Sequence, residues 1–286
     1  MLKLEDATCY SKLKQNAMLA LENSLDGRSV TIALNRPDRR NALNQSLVHE
    51  LTNVLKSLYA DPRIRVIILT GSGSVFSAGA DLAALKQLQD ASYEENKADS
   101  ESLAQLFSTM LSGPKVLVAK INGHAIAGGS GLVAACDVAF ASSTAKFGFT
   151  EVRLGFVPAL VSVLLRFRIK ESDLRDILLS GRIFSAQEAK EMGIINQHVH
   201  IESLDSVVSE YVDSICRNTS ESAIALTKKL LHANSGKDFK SAFSEAIESN
   251  ANARSTSDCR AGVSAFLNKK DAPWTHEYDQ DHPEPA

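Results

Sequence analysis

Four cysteines in 286 residues (Cys9, Cys136, Cys216 and Cys259) are too few and too scattered for a disulfide framework. With no CxxC pair there is no cysteine-only zinc knuckle either, and a reducing compartment is the expectation. No apolar run approaches the roughly 18 residues that span a bilayer. The opening MLKLEDATCY, with Glu5 and Asp6, lacks the uninterrupted apolar core of a secretory signal. Neither sign of charge dominates: 31 basic residues face 34 acidic ones, a net of −3. Such a balance excludes a general attraction to nucleic acid or to anionic membrane. Apolar residues at 44% and charged ones at 23% exclude a disordered chain and a fibrous repeat. These absences leave a soluble, cytoplasmic globular protein, long enough for about two domains at roughly 150 residues each.

What is present alternates. LALEN (19–23) and SVTIAL (29–34) flank Asp26-Gly27 and predict a β-hairpin. A helix capped near Asn44 follows, with Leu47, Leu51, Val54, Leu55 and Leu58 at helical spacing. RVIILT (65–70) and VLVAKI (116–121) are short β-branched runs that read as buried strands. Between them lie a Gly/Ser loop (71–82), a polar surface segment (86–102) expected to be mobile, and a helix with its face at Leu103, Leu106, Phe107, Met110 and Leu111. NGHAIAGGSGLVAAC (122–136) reads as turn then helix and DVAFAS (137–142) as strand. A helix is expected around 158–168, and Ser185 with Glu188 forms a capping-box signature. From 201 to 268 the pattern is helical only. The expected organisation is an N-terminal extension (1–18), an α/β core (19–200), a helical module (201–270) and a tail (271–286).

Two glycine-rich loops each join a buried strand to a helix: SAGADL (77–82) and HAIAGGSGL (124–132). Backbone N–H groups at such junctions are unpaired donors backed by the helix dipole. Two of them, set side by side, can hold one carbonyl oxygen, as an oxyanion hole does; spacing alone equally allows two plain tight turns. GSG (71–73) lacks the third glycine of a dinucleotide fingerprint, and no GK[ST] marks a phosphate loop. Ser130 does not meet the GxSxG frame of a nucleophile elbow and reads as a packing residue. His198 and His200 share one side of a possible strand, but no third ligand stands at a recognisable spacing, so no metal site is expected. Glu151 is flanked by Phe147, Phe149, Val152, Leu154 and Phe156. Burial there would raise its pKa and prepare it for proton transfer, whereas pairing with Arg153 or exposure would not. Arg36, Arg39 and Arg40 form a local basic cluster that suits an anionic ligand.

LNRPDRRNAL (34–43), FSAGADL (76–82), NGHAIAGGSGLVAACDVAFAS (122–142), AKFGFTEVRLGFVPA (145–159), SGRIFSAQEAKEMGIIN (180–196) and AFLNKK (265–270) resemble, in order and spacing, the enoyl-CoA hydratase/isomerase (crotonase) superfamily. TEVRLGFVPA with GLVAACD is most similar to bacterial hydratases of the methylglutaconyl-CoA type. The resemblance implies an α/β fold, a superhelix of ββα units with a C-terminal α-helical module that builds a homotrimer or homohexamer. It implies an acyl-CoA thioester substrate, with coenzyme A part of the substrate and no separate cofactor, and a setting in fatty-acid or branched-chain amino-acid breakdown. Carried over by residue, Ala80 and Gly128 would donate their N–H groups to the thioester oxygen, and Glu151 would move the proton. Ala78, Gly79, Asp81 and Leu82 would lie along the CoA, with Gly129 and Pro158 beside the thioester and acyl chain. Arg36 and Arg39 would stand near the phosphates. Phe266 and Lys269 match positions that reach a neighbouring subunit's CoA.

The pattern breaks at Gly131, where two-glutamate hydratases carry their first carboxylate. Water addition to a 2-enoyl thioester conveniently uses two carboxylates, whereas moving a double bond from the 3- to the 2-position needs one base. The lone Glu151 thus points towards isomerisation on chemistry, while the wording around 131 and 151 resembles the hydratases. Hydratase is the first reading, 3-enoyl to 2-enoyl isomerase the second, and a non-catalytic acyl-CoA-binding protein the alternative of another class. Dehalogenation is disfavoured because no Asp stands within 130–135.

Overall fold

The computed structural model describes residues 18–275, with the side chains of Leu82, Leu85, Gln87 and Leu88 outside what it describes. The expected extension and tail therefore lie, apart from their inner ends, outside the described residues. The alternating apolar pattern of the first strands forms the expected hairpin: β1 (Leu19–Asn23) runs antiparallel to β2 (Ser29–Leu34), with Val30, Ile32 and Leu34 fully buried. Asn44 caps α1 (Gln45–Ala60) by accepting the Leu47 N–H at 2.9 Å. Two strands follow, β3 (Val66–Gly71) and β4 (Val75–Ser77), then α2 (Leu82–Gln89) and α3 (Tyr93–Ser112). The next unit is β5 (Val116–Ile121), β6 (His124–Ile126) and α4 (Gly128–Ala135). The third is β7 (Val138–Ser142) and β8 (Lys146–Gly148), a one-turn 3-10 helix (Glu151–Leu154), α5 (Ala159–Leu165) and α6 (Glu171–Ser180). The core closes with β9 (Ile183–Ser185), α7 (Ala186–Met192) and β10 (Gln197–Val199). From there the described chain forms α8 (Ile201–Asn218), α9 (Glu221–Asn234), α10 (Phe239–Arg254), α11 (Ser257–Leu267) and one last 3-10 turn.

Each ββα unit sends its first strand to one sheet and its second to another. The six-stranded sheet has the order β1-β2-β3-β5-β7-β10 and is parallel from β2 onward. The four-stranded sheet has the order β4-β6-β8-β9, parallel across its first three strands and antiparallel at β9. The large sheet is buried on both faces, which is why its strands read as unbroken apolar runs. On β3, Ile67 and Leu69 face the main core with α1, α3 and α4, whereas Val66 and Ile68 face Leu204, Val208, Val212 and Cys216 of α8.

Several elements depart from the sequence expectation. The loop 71–82 contains β4, a three-residue strand too short to show a period. The polar segment 86–102 is largely helical: Ser92 and Glu95 form a full capping box that starts α3 ten residues before its apolar stripe at Leu103. His124–Ile126, expected as a turn, forms the strand β6; α6 and β9 carry no expectation, while the capping box at Ser185 and Glu188 is formed as expected. His198 lies on β10 but His200 caps α8, so the two do not share a strand face.

The helical module is tied to the sheets by buried charge. The Lys228 ammonium on α9 donates to Lys115 O at 2.8 Å and pairs with the Asp137 carboxylate, which also accepts the Leu117 N–H. Lys115 pairs with Glu221 at the start of α9. Lys228 keeps only 9% of its surface exposed. Removing one partner of such a pair strands the other charge, so Lys228→Ala is expected to cost about 3 kcal/mol, read as an earlier midpoint in urea denaturation.

Candidate active site

The small sheet fixes where the chemistry can sit. β4, β6 and β8 are parallel neighbours, so their C-terminal ends point the same way, and in open α/β sheets ligands bind at those ends. Ser77 is opposite Ala125, and Ala125 is opposite Phe147. Three residues beyond Ser77 stands Ala80, three beyond Ala125 stands Gly128, and four beyond Phe147 stands Glu151. The three groups singled out in the sequence leave adjacent strands side by side.

The loop after β4 is fastened to the segment before α1. Ala78 N–H donates to Arg40 O at 2.9 Å, Leu43 N–H to Gly79 O at 2.7 Å, and Asp81 N–H to Leu43 O at 2.9 Å. Leu43 and Ala80 thereby form an isolated parallel bridge in which both bonds of this loop come from its neighbours, leaving Ala80 N–H directed away. Asn41, fully buried with φ 53°, joins the parts: its amide donates to Ser72 O and Val75 O, and its Oδ1 accepts the Arg36 N–H. Ser77 Oγ donates to Asn41 O at 2.8 Å.

The loop after β6 is a strained turn. Ala127 takes φ 49° and ψ −120°, a region that a residue with a Cβ occupies only when held there. It is held by its own N–H on Gly148 O at 2.7 Å and by the Gly131 N–H on its carbonyl at 3.0 Å. Gly128 and Gly129 then open α4 with their N–H groups in its first turn. Among the described residues neither the Ala80 nor the Gly128 N–H donates a hydrogen bond. The loops meet at backbone distance. A Cβ on Gly79, where φ is +84°, would stand 2.6 Å from Ile126 O, and one on Gly129 would stand 2.6 Å from Ser77 O. Leu43 reaches Gly128 with its side chain. Ser130, buried, donates to Ala125 O at 2.6 Å and accepts the Gly148 N–H at 3.4 Å, so it laces α4 to β6 and β8.

Glu151 opens the 3-10 turn after β8. It is half-buried, and its Oε2 is shielded from solvent with no hydrogen-bond partner among the described residues. Burial pushes its pKa up from the ordinary carboxylate value, opposed only by a hydrogen bond from its own backbone. No ion pair to Arg153 forms. Of the apolar residues flanking it in sequence, Phe147 and Phe149 are buried, whereas Leu154 and Phe156 lie exposed in the single chain.

The remaining expected site residues are distributed as follows. Arg36 is committed within the loop, donating to Asp81 Oδ2 at 2.7 Å and to Ala42 O at 2.6 Å. Burial alone would raise the Asp81 pKa, but the bonds from Arg36 and the Ala83 N–H hold it below the usual range. Arg39 and Arg40 are exposed beside it, Ala78 is half-buried, and Pro158 is buried ahead of α5. The backbone of Leu82 begins α2, and its side chain lies outside the description. Phe266, at the end of α11, and Lys269 are exposed on the helical module. Sequence reading quoted Asn41 only within a motif, took Ser130 for packing, and missed the roles of Leu43 and Ser77. The turn residues in NRPDRRNAL were the available signal. No cluster of three metal-ligating side chains forms among the described residues, and no described helix is long and apolar enough to cross a membrane.

The fold and these loops have counterparts. The enoyl-CoA hydratase/isomerase family profile matches residues 27–277. A Thermus thermophilus protein provisionally described as an enoyl-CoA hydratase is 40% identical over 244 residues, 85% of this chain and 96% of its own. The enoyl-CoA hydratase ACTT6 of Alternaria alternata is 35% identical over 73% of this chain and 70% of its own. The crystal structure of an enoyl-CoA hydratase from Mycobacterium smegmatis matches at a TM-score of 0.85 and 28% identity, covering 91% of this chain and all of that one. Its mixed α/β architecture, its ordered motifs and these likenesses make the chain a member of the enoyl-CoA hydratase/isomerase family, with the crotonase fold.

Proposed function

We propose that the protein is an enoyl-CoA hydratase that works with two backbone donors and a single carboxylate, with a homotrimer as the working assembly. The observation that carries the reading is the half-buried Glu151 carboxyl, its Oε2 without a partner among the described residues, in the turn after β8, the strand that pairs with β6, beyond which Gly128 opens α4. The N–H groups of Ala80 and Gly128 would both donate to the thioester oxygen and stabilise the enolate, worth roughly 10²–10³ in rate for each donor. As water oxygen bonds to carbon 3, Glu151 takes a water proton; the enolate then takes that proton at carbon 2, and the carboxylate is restored. A raised pKa suits a group that must accept and return a proton near neutrality. The likeness of the 131 and 151 segments to hydratases of the methylglutaconyl-CoA type supports water addition. Arg39 and Arg40 offer positive charge for the CoA phosphates, Arg36 acting through the loop it braces. The helical module exposes Phe239, Phe243, Ile247, Val263 and Phe266, an apolar surface that suits association with further copies and a shared CoA at Phe266 and Lys269.

Gly131 favours a second reading. With no side chain there to supply a second acid, Glu151 alone can lift a proton from carbon 2 of a 3-enoyl thioester and return it to carbon 4, a 3-enoyl to 2-enoyl isomerisation. Both reactions share the enolate and the base. Assaying the purified protein on a 2-enoyl-CoA and its 3-enoyl isomer, with products identified by mass, separates them. Gain of one water supports the hydratase, conversion without mass change supports the isomerase, and no turnover with CoA binding intact means a binding protein.

Two outcomes are expected of variants. Glu151→Gln should lower kcat by about 10²–10⁴ while leaving CoA binding in place, and a variant that keeps full activity would falsify the assignment. Because folding raises this pKa, folding stabilises the neutral carboxyl relative to the charged one. Its stabilisation is complete below the unfolded value and is lost as pH rises through the folded one. Glu151→Gln should therefore melt higher than the parent at pH 7, with the difference closing near pH 4, and the kcat profile of the parent should fall in acid with a midpoint above 4.5. Gly79→Ala must place a methyl against Ile126 O at positive φ. It should cost about 1–3 kcal/mol in stability and reduce kcat at least tenfold, as seen by denaturation and steady-state kinetics on the same preparation.

A further inference from the structure

Gly131 is not simply a position without a side chain; there is no room for one. It lies on α4 three residues after Gly128, on the same face of the helix and one turn from the donor. A Cβ built on Gly131 would stand 2.8 Å from Phe107 Cζ and 2.9 Å from Val161 Cγ1, closer than real Cβ contacts come. Phe107 comes from α3 and Val161 from α5, so the two helices that flank α4 close on this one point. Both side chains are locked: Phe107 is 3% and Val161 4% exposed, within the main core. Val161 is branched at Cβ and stiff, and the Phe107 ring moves only by displacing its neighbours in a close-packed interior.

We infer that Phe107 and Val161 are specificity-determining residues that keep the site to one carboxylate. They fill the space that a side chain at 131 would need, so Glu151 is the sole proton carrier by packing and not by the loss of one residue alone. The inference rests on the proposed role of Glu151 for its chemical half only. Its packing half concerns the contact among α3, α4 and α5 and stands apart from any activity.

The test compares Gly131→Ala in the parent and in Phe107→Ala. Overpacking should lower the melting temperature of the parent by about 3–6 °C. In Phe107→Ala the space vacated by the ring lets the added methyl and Val161 shift apart, and the methyl gains helix propensity, so the same change should lower it by less than half as much or raise it. A shift of the same sign and size in both backgrounds overturns the inference. Should Phe107→Ala fail to fold, Val161→Ala supplies the same comparison with a smaller truncation. For the chemical half, Gly131→Glu combined with Phe107→Ala should increase the ratio of hydration to isomerisation at least tenfold over Phe107→Ala alone, and add a second ionisation to the kcat profile. An unchanged ratio in a folded double variant overturns the specificity role. If the parent turns over neither enoyl-CoA, the proposed function fails, while the two melting comparisons still decide whether Phe107 and Val161 exclude a side chain at 131.

Discussion

Everything at the site depends on the parallel pairing of β4, β6 and β8. These strands are three residues each, too short to be stable alone, and the first and third are held in place by β6 between them. Their register brings Ala80, Gly128 and Glu151 out beside one another, although they are up to 71 residues apart in sequence. The large sheet contributes the rigid frame. Each of its strands β3, β5 and β7 is followed within a few residues by the strand of the small sheet that carries a functional loop.

The cost of this arrangement is concentrated where the chemistry is. Ala127 is held at a φ that disfavours a Cβ, Gly79 and Gly129 sit where carbonyl oxygens leave no room for one, and Glu151 hides a carboxylate oxygen with no partner among the described residues. None of these improves stability. The buried pairs of Lys228 with Asp137 and of Lys115 with Glu221, and the apolar contact of α8 with the large sheet, lie on other surfaces and hold the frame. Separation of stabilising contacts from strained ones lets the loops keep backbone donors unpaired without opening the core.

The alternation of elements was legible because it follows from periodicity and caps. The hairpin at 19–34, the helix capped by Asn44, the strands at 66–71 and 116–121, and the capping box at Ser185 all carry their signal in a few residues. The start of α3 carried the same signal in Ser92 and Glu95 but was obscured by the polar run around it, since a solvated helix face has no apolar stripe. β4 and β9 were illegible for a physical reason: three residues show no period, and their stability comes from neighbours distant in sequence. At the site, the donors and Glu151 could be named, because strand-to-helix junctions and an apolar setting are local features. Phe107 could be seen only as a member of a helix's apolar stripe, and Val161 only as lying within the helix expected around 158–168. That they converge on Gly131 is a property of how three helices pack, which no single stretch encodes.

That division has a consequence for how the reaction is set. On the proposed function thioester polarisation belongs to the strand ends, where Ala78, Gly79, Asp81 and Ala127 are fixed by backbone bonds to Arg40, Leu43 and Gly148. Proton traffic, on the proposed function, belongs to Glu151 alone, while the α3–α4–α5 contact limits what side chain can stand at 131. The first can stay constant while the second varies, because substitutions at 107, 131 and 161 exchange core volume without touching the sheet bonds. As proposed, hydration and isomerisation both pass through a thioester enolate and use the same base, but hydration also bonds a water oxygen to carbon 3, whereas isomerisation only moves a proton from carbon 2 to carbon 4. On that proposal the choice between them depends on the space beside Gly131, which in this chain is filled by a phenyl ring and a valine.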